Sequence, residues 1–172
     1  MAGGLGASLL RPRALAKIRN MSTTRLIQHV NAAREKVYRA FVEASAIQTW
    51  QVPTGMTSEV HEFEGREGGR FRISLTYDDA TRPGKSSAHT DTFHGRFVKL
   101  VPPEQIVETV EFETADPGMR GEMTITISLR EVDGGTEIAA VHDHLPPAVS
   151  PADNELGWRI SLGKLAALVE DR

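Results

Sequence analysis

His142 and His144 are the residues whose type and spacing best fit the chemistry of a site. In an extended strand, side chains two positions apart point the same way and lie about 6–7 Å apart. His89, His94 or Asp91 could complete a metal site with them, since structural zinc needs about four ligands and catalytic zinc about three. A cavity or rim histidine that hydrogen-bonds to a neighbour explains the same pattern without a metal. We therefore expect no metal and no cofactor.

His142 also has the residue type for proton transfer, because histidine titrates near neutral pH. Its alternation with Ile138 and Ala140 places it on the strand face that points toward a helix, in or near a cavity. The sequence contains no nucleophile elbow, no His-Glu-x-x-His and no paired acidic motif beside it. An enzymatic role is therefore left open, and we designate no catalytic residue.

The elements that must position His142 are strands joined by hairpin turns. Apolar and polar residues alternate most clearly over residues 123–129, and Asp133-Gly134-Gly135 is typical of a hairpin turn. The pattern predicts strands at residues 24–30, 56–64, 70–77, 88–100, 106–112, 123–129 and 136–145. Strands in succession, with the helices segregated from them, predict an α+β fold with an antiparallel sheet.

Helices are predicted at both ends of the strand series. Asn31 is a candidate N-cap for a first short helix, and a second covers residues 43–50. Ser150 and Pro151 are typical of the start of a long C-terminal helix. That helix has two apolar stripes, formed by Trp158, Leu162, Leu165 and Val169 and by Leu156, Ile160, Gly163 and Ala167. Two stripes indicate a helix held by a curved sheet and covered on its other side, with room for a cavity or a homodimer contact.

Composition excludes several classes of protein. The 172 residues include 20 lysines and arginines against 23 aspartates and glutamates, a formal charge of −3, and no cysteine. A nucleic-acid-binding surface needs an excess of basic groups, and no run approaches the roughly 18 apolar residues that cross a bilayer. We expect no nucleic acid partner and no membrane span. Disulfides, thiolate nucleophiles and cysteine-based metal sites are absent.

Residues 1–21 differ from the rest of the chain, with four basic residues and no acidic one. We interpret them as a disordered or start-site extension, with organelle import through residues 1–20 as the alternative. Residues 22–172 form a single domain by this interpretation. Its acidic character and the absence of cysteine favour the cytoplasm.

A series of short motifs, taken in order and spacing, resembles the START-like (SRPBCC) superfamily. The branch is similar to the C-terminal domain of the activator of the 90-kDa heat-shock chaperone's ATPase. The residues that carry the resemblance are Val37-x3-Phe41, Ile47-x2-Trp50, Gly68-Gly69-Arg70-Phe71, Gly95-Arg96-Phe97-Val98, Pro102-Pro103-Glu104, Gly134-Gly135-Thr136, His142, and Gly157-Trp158 with Leu162 and Leu165. The resemblance implies a helix-grip fold, in which a curved antiparallel sheet wraps around a long C-terminal helix and encloses a hydrophobic cavity.

The resemblance implies a binding role for that cavity, because superfamily members take up lipids, sterols and other apolar molecules or convert them there. We expect a non-catalytic protein that holds a small hydrophobic ligand. The alternatives are a cyclase- or hydrolase-like enzyme acting on such a molecule and a chaperone-docking or stress-response module. The candidate lining residues are Trp50, Phe71, Tyr77, Phe112, His142 and Trp158.

Overall fold

The computed structural model describes residues 22–170, which contain seven strands and three helices. In chain order the elements are β1 (Ser22–Val30), α1 (Arg34–Val42), α2 (Ala44–Trp50), β2 (Met56–Phe63), β3 (Arg70–Tyr77), β4 (Thr90–Val101), β5 (Gln105–Phe112), β6 (Met123–Val132), β7 (Gly135–Leu145) and α3 (Pro151–Val169). The extension predicted at residues 1–21 lies outside the described residues.

The seven strands form one antiparallel sheet in the order β1-β7-β6-β5-β4-β3-β2. One face of the sheet is apolar because the strands alternate; in β6, residues 123, 125, 127 and 129 are all buried. Helix α3 packs against this face, and its Leu162, Leu165 and Val169 are buried there. The predicted α+β helix-grip fold is confirmed.

Helices α1 and α2 pack beside α3 and complete the core at one end of the sheet. The Trp50 ring is fully buried, lies 5.0 Å from the Phe41 ring, and donates its Nε1–H to the Ala40 carbonyl at 2.8 Å. Asn31 is not the N-cap of α1 as predicted. Ala33 holds that position, and the Asn31 N–H instead donates to the Glu170 carboxylate at 2.8 Å, joining the start of α1 to the end of α3.

Helix α3 begins at the predicted cap, where the Ser150 hydroxyl accepts from the Asp153 N–H at 3.2 Å. The second apolar stripe of α3 is only partly buried by other described residues, since Leu156 is 59% exposed and Gly163 is also exposed. Residues 156 and 160 of that stripe instead border the space between helix and sheet. No helix among the described residues is both long enough and apolar enough to cross a bilayer.

Candidate functional site

A cavity of about 690 Å³ lies between α3 and the sheet. This volume is within the range of about 300–1,000 Å³ typical of small-molecule sites. The sheet contributes mostly apolar side chains, among them Leu75, Phe93, Val110, Met123 and Ile125. Helix α3 contributes Gly157, Trp158, Ile160 and Ser161 from the opposite side. Exposed residues, including Thr54, Arg82, Asp116 and Leu156, mark its solvent side.

Four of the six candidate lining residues border this cavity: Tyr77, Phe112, His142 and Trp158. The other two belong to the packed core. Trp50 lies behind Trp158, with 6.2 Å between the ring centroids. Phe71 packs its ring on Phe97 at 5.5 Å. The structure therefore brings together the candidates from β3, β5, β7 and α3.

His142 is the most buried polar group of the cavity lining, at 1% exposure. Its Nδ1 accepts from the Asn154 side-chain amide at 2.7 Å and lies 3.3 Å from the Thr24 hydroxyl. An imidazole nitrogen that accepts carries no proton, so the neutral ring bears its hydrogen on Nε2. Burial lowers the pKa of His142 from 6.5 to about 4, outweighing the opposite effect of Asp143. His142 is therefore a neutral hydrogen-bond donor at physiological pH.

The Nε2–H of His142 has no hydrogen-bond partner among the described residues, although the atom is buried. The imidazole packs against Trp158 with 4.5 Å between ring centroids, which fixes its position at the junction of β7 and α3. A buried donor without a partner costs about 1–3 kcal/mol of stability.

Asn154→Leu is expected to release the His142 tautomer and to destabilise the protein by about 1–2 kcal/mol, because two partly buried hydrogen bonds lose their donor. The ¹⁵N shifts of the imidazole measure the tautomer directly. Wild-type protein should show a protonated Nε2 and an unprotonated Nδ1, and the variant a mixture. An Nδ1-protonated wild-type ring would contradict the assignment.

His144 does not share the environment of His142. Its backbone takes a φ of 64°, which departs from strand geometry, and its side chain is exposed. The expectation that the two imidazoles point the same way is therefore wrong at this position. Residues 22–170 also contain no group of three or more histidine, aspartate or glutamate side chains arranged to hold a metal ion.

Glu108 is a functional candidate that the sequence analysis missed. It lies on the inward face of β5 between Ile106 and Val110, and it lines the cavity. No hydrogen bond or ion pair to its carboxylate exists within residues 22–170. Burial raises the pKa of Glu108 from 4.5 to about 7. The carboxyl group is thus poised between its protonated and ionised forms near neutral pH, and it faces a mainly apolar space.

Glu108 and His142 belong to one row across the sheet. Glu108 is paired with Ile125 on β6, and Ile125 with His142 on β7. Directly opposed residues of antiparallel strands share a face, so all three side chains point toward the cavity. Each strand pair separates Cα atoms by about 5 Å, which places Glu108 and His142 about 10 Å apart along the sheet. The half-buried Glu108 and the buried His142 therefore flank one apolar residue.

The loop between β3 and β4 brings two cations to the cavity. Lys85 pairs with the buried Asp91 at 2.9 Å, and its ammonium lies 5.2 Å from the centre of the Phe112 ring. Arg82 lies over the Tyr77 ring at 4.9 Å. These contacts hold the loop over the aromatic side chains of the lining. The solvent side of the cavity also carries the exposed Asp116 and Asp153.

A second, smaller groove of about 380 Å³ lies on the outer face of the sheet. Three of its polar groups are paired, since Arg72 donates to Glu113 at 2.9 and 3.0 Å and His94 lies 3.2 Å from the same carboxylate. The outer groove is smaller than the cavity and its lining is mostly charged, so it is a weaker candidate for an apolar ligand.

The sequence of the chain matches a known protein family. The family model of activator of Hsp90 ATPase homolog 1-like proteins matches residues 31–170. The chain belongs to this family. The match covers both faces of the cavity, from α1 through α3, and the START-like resemblance is confirmed.

Solved structures of similar proteins agree with this family assignment. Protein CV1439 from Chromobacterium violaceum is 35% identical, covering 87% of this chain and 98% of its own, with a TM-score of 0.77. A Rhodobacter sphaeroides protein is 21% identical over 85% of this chain and 90% of its own, with a TM-score of 0.71, and so supports the fold alone. A comparison with curated proteins gave no significant match.

Proposed function

We propose that this member of the Hsp90 ATPase activator homolog 1-like family is a non-catalytic binding protein that holds a small hydrophobic molecule in the cavity. The observation that carries the proposal is the cavity of about 690 Å³ between α3 and the sheet, to which the sheet contributes mostly apolar side chains. Glu108 lies half-buried among these side chains and offers a polar contact to an occupant.

Affinity comes mainly from burial of apolar surface, at roughly 25 cal/mol per Å². Val110, Met123 and Ile125 supply the sheet side of the contact, and Trp158 supplies the helix side. Phe112 and Tyr77 extend the apolar lining toward the solvent side, where Lys85 and Arg82 lie over their rings.

The state of His142 argues against a role for this imidazole as a general base. A general base needs a free lone pair within reach of the substrate. The lone pair of this imidazole is on Nδ1, where it accepts from Asn154, and the nitrogen without a partner carries the proton. An acidic domain without cysteine also suits a cytoplasmic location, which we include in the proposal.

The proposal is tested by titrating the protein with N-phenyl-1-naphthylamine, an uncharged apolar dye whose fluorescence rises on leaving water. We expect saturable binding with one dye per chain. A linear, unsaturable rise would contradict the proposal and favour a docking role, to be tested next by mixing the chain with the purified chaperone.

A further inference from the structure

We propose that the cavity takes up a cationic amphiphile, a molecule with an apolar body and a protonated amine that pairs with the Glu108 carboxylate. This inference rests on the proposed function and deepens it by naming the charge of the ligand. Two observations carry it. Carboxylates outnumber cations in the cavity lining, and Glu108 lies among apolar side chains on the sheet side of the cavity.

The charged side chains of the cavity lining are mostly acidic. They comprise four carboxylates and two cations, which are Asp91, Glu108, Asp116, Asp153, Arg82 and Lys85. Lys85 neutralises the buried Asp91, since the two side chains form an ion pair at 2.9 Å. The other three carboxylates form no ion pair within residues 22–170, and Arg82 alone remains to balance them. The lining therefore carries a net negative charge, which a cationic ligand neutralises.

Glu108 faces the cavity from a central strand of the sheet. Its four nearest neighbours on the inward face are each 5% exposed or less: Ile106 and Val110 on β5, Phe97 on β4 and Ile125 on β6. Glu108 itself is half-buried, so the accessible part of its side chain opens into the cavity. Burial in these surroundings raises the pKa of Glu108 to about 7, because no described cation stabilises the carboxylate.

The charge of the ligand decides what happens to Glu108 on binding. In the ligand-free protein, solvent reaches this carboxylate through the cavity. A neutral apolar ligand displaces that solvent and leaves the ionised carboxylate without a partner, which is costly in an apolar space. An anionic ligand adds repulsion from Glu108 and from Asp116 and Asp153 at the solvent side. A protonated amine replaces the solvent with an ion pair, and a charge-assisted hydrogen bond is about twice as strong as a neutral one.

The lining already holds one ammonium group in this manner. The Lys85 ammonium lies 2.9 Å from the buried Asp91 carboxylate and 5.2 Å from the centre of the Phe112 ring. Carboxylates and the faces of aromatic rings both attract cations, so this lining contains the groups that stabilise an ammonium. Glu108 is a second carboxylate of the same lining, and no cation among residues 22–170 pairs with it. The amine of a ligand supplies that cation.

The test compares three naphthalenes that compete with N-phenyl-1-naphthylamine at about pH 8, where the Glu108 carboxyl is mostly ionised. 2-Naphthylmethylamine is a cation, 2-naphthylmethanol is neutral, and 2-naphthoate is an anion. In wild-type protein, the amine should bind about tenfold or more tightly than the alcohol, and the carboxylate should bind most weakly. In Glu108→Gln, the advantage of the amine over the alcohol should fall below about threefold.

Glu111→Gln is the matched control, because it removes a carboxylate of the same strand that faces the outer groove. This variant should keep the wild-type advantage of the amine. Two results would overturn the inference while saturable dye binding upholds the proposed function. These are an alcohol that binds wild-type protein as tightly as the amine, and an advantage of the amine that persists in Glu108→Gln. Failure of the dye and of all three compounds to bind would overturn both.

Discussion

Glu108→Gln is expected to stabilise the ligand-free protein above neutral pH, by on the order of 2–3 kcal/mol. The pKa of Glu108 is about 7 in the folded chain against an ordinary 4.5. As pH rises from 4.5 to 7, the unfolded chain releases this proton first, so the folded state loses stability across that window. Glutamine is uncharged at every pH, so the variant does not lose this stability as the pH rises.

His142 also affects the pH dependence of stability, and it does so in the opposite direction, because its pKa is lowered on folding whereas that of Glu108 is raised. Its pKa is about 4 when folded against 6.5 ordinarily, so its contribution is present above pH 6.5 and is lost as pH falls toward 4. Between pH 4.5 and 6.5, folded protein holds a proton on Glu108 and unfolded protein holds one on His142. The two contributions to the pH dependence of stability therefore cancel in this window.

Denaturant unfolding of wild-type and Glu108→Gln protein from pH 4.5 to 8 measures both effects. The free energy of unfolding of Glu108→Gln, relative to that of the wild type, should rise by about 1.4 kcal/mol for each pH unit between pH 4.5 and 6.5. Glu111→Gln, on the outer face of the same strand, should follow the wild-type profile. Parallel profiles for wild type and Glu108→Gln would show that the Glu108 carboxyl is not held in an apolar space.

Gly157→Phe is expected to weaken binding of N-phenyl-1-naphthylamine by at least about tenfold while the protein stays folded. Gly157 lines the cavity from α3, and a Cβ placed there meets no atom within 4 Å. The added ring therefore enters space that the ligand needs. Glycine inside a helix also costs about 0.5–1 kcal/mol relative to alanine, so the backbone change favours folding.

Gly163→Phe is the matched control for that variant. Gly163 lies on the same helix, has open space at its Cβ position, and is exposed outside the cavity lining. The Gly163→Phe variant should bind the dye with wild-type affinity. An equal loss of affinity in both variants would show that the substitutions disturb helix α3 itself. Unchanged affinity in Gly157→Phe would show that the dye binds outside the cavity.

Strand alternation predicted the sheet well because burial of one face imposes a period of two on the sequence. The same rule contained the signal for Glu108. Ile106, Val110 and Phe112 set the inward face of β5, and position 108 falls on that face. A charged residue at an inward position is a strong indication of function. A search for aromatic residues does not find this position, because the signal is a charge on an apolar face.

Which aromatic rings reach the cavity could not be predicted, because it depends on how side-chain volumes fill the core. The Phe71 ring packs over Gly95 instead of reaching the cavity, in space that a Cβ at that position would fill, since it would lie only 2.7 Å from the ring. Trp50 is held in the core by its hydrogen bond to Ala40. The conformation of His144 also follows from a local backbone turn, at φ 64°, that alternation does not encode.

The central claim, that the cavity is the binding site, is tested most directly by methyl NMR of wild-type protein titrated with N-phenyl-1-naphthylamine. The account predicts saturable shifts at the methyl groups of Val110, Met123 and Ile125, with Ile27 and Val98, exposed at other sites, unchanged. Shifts confined to the outer groove, or to exposed methyl groups alone, would contradict it.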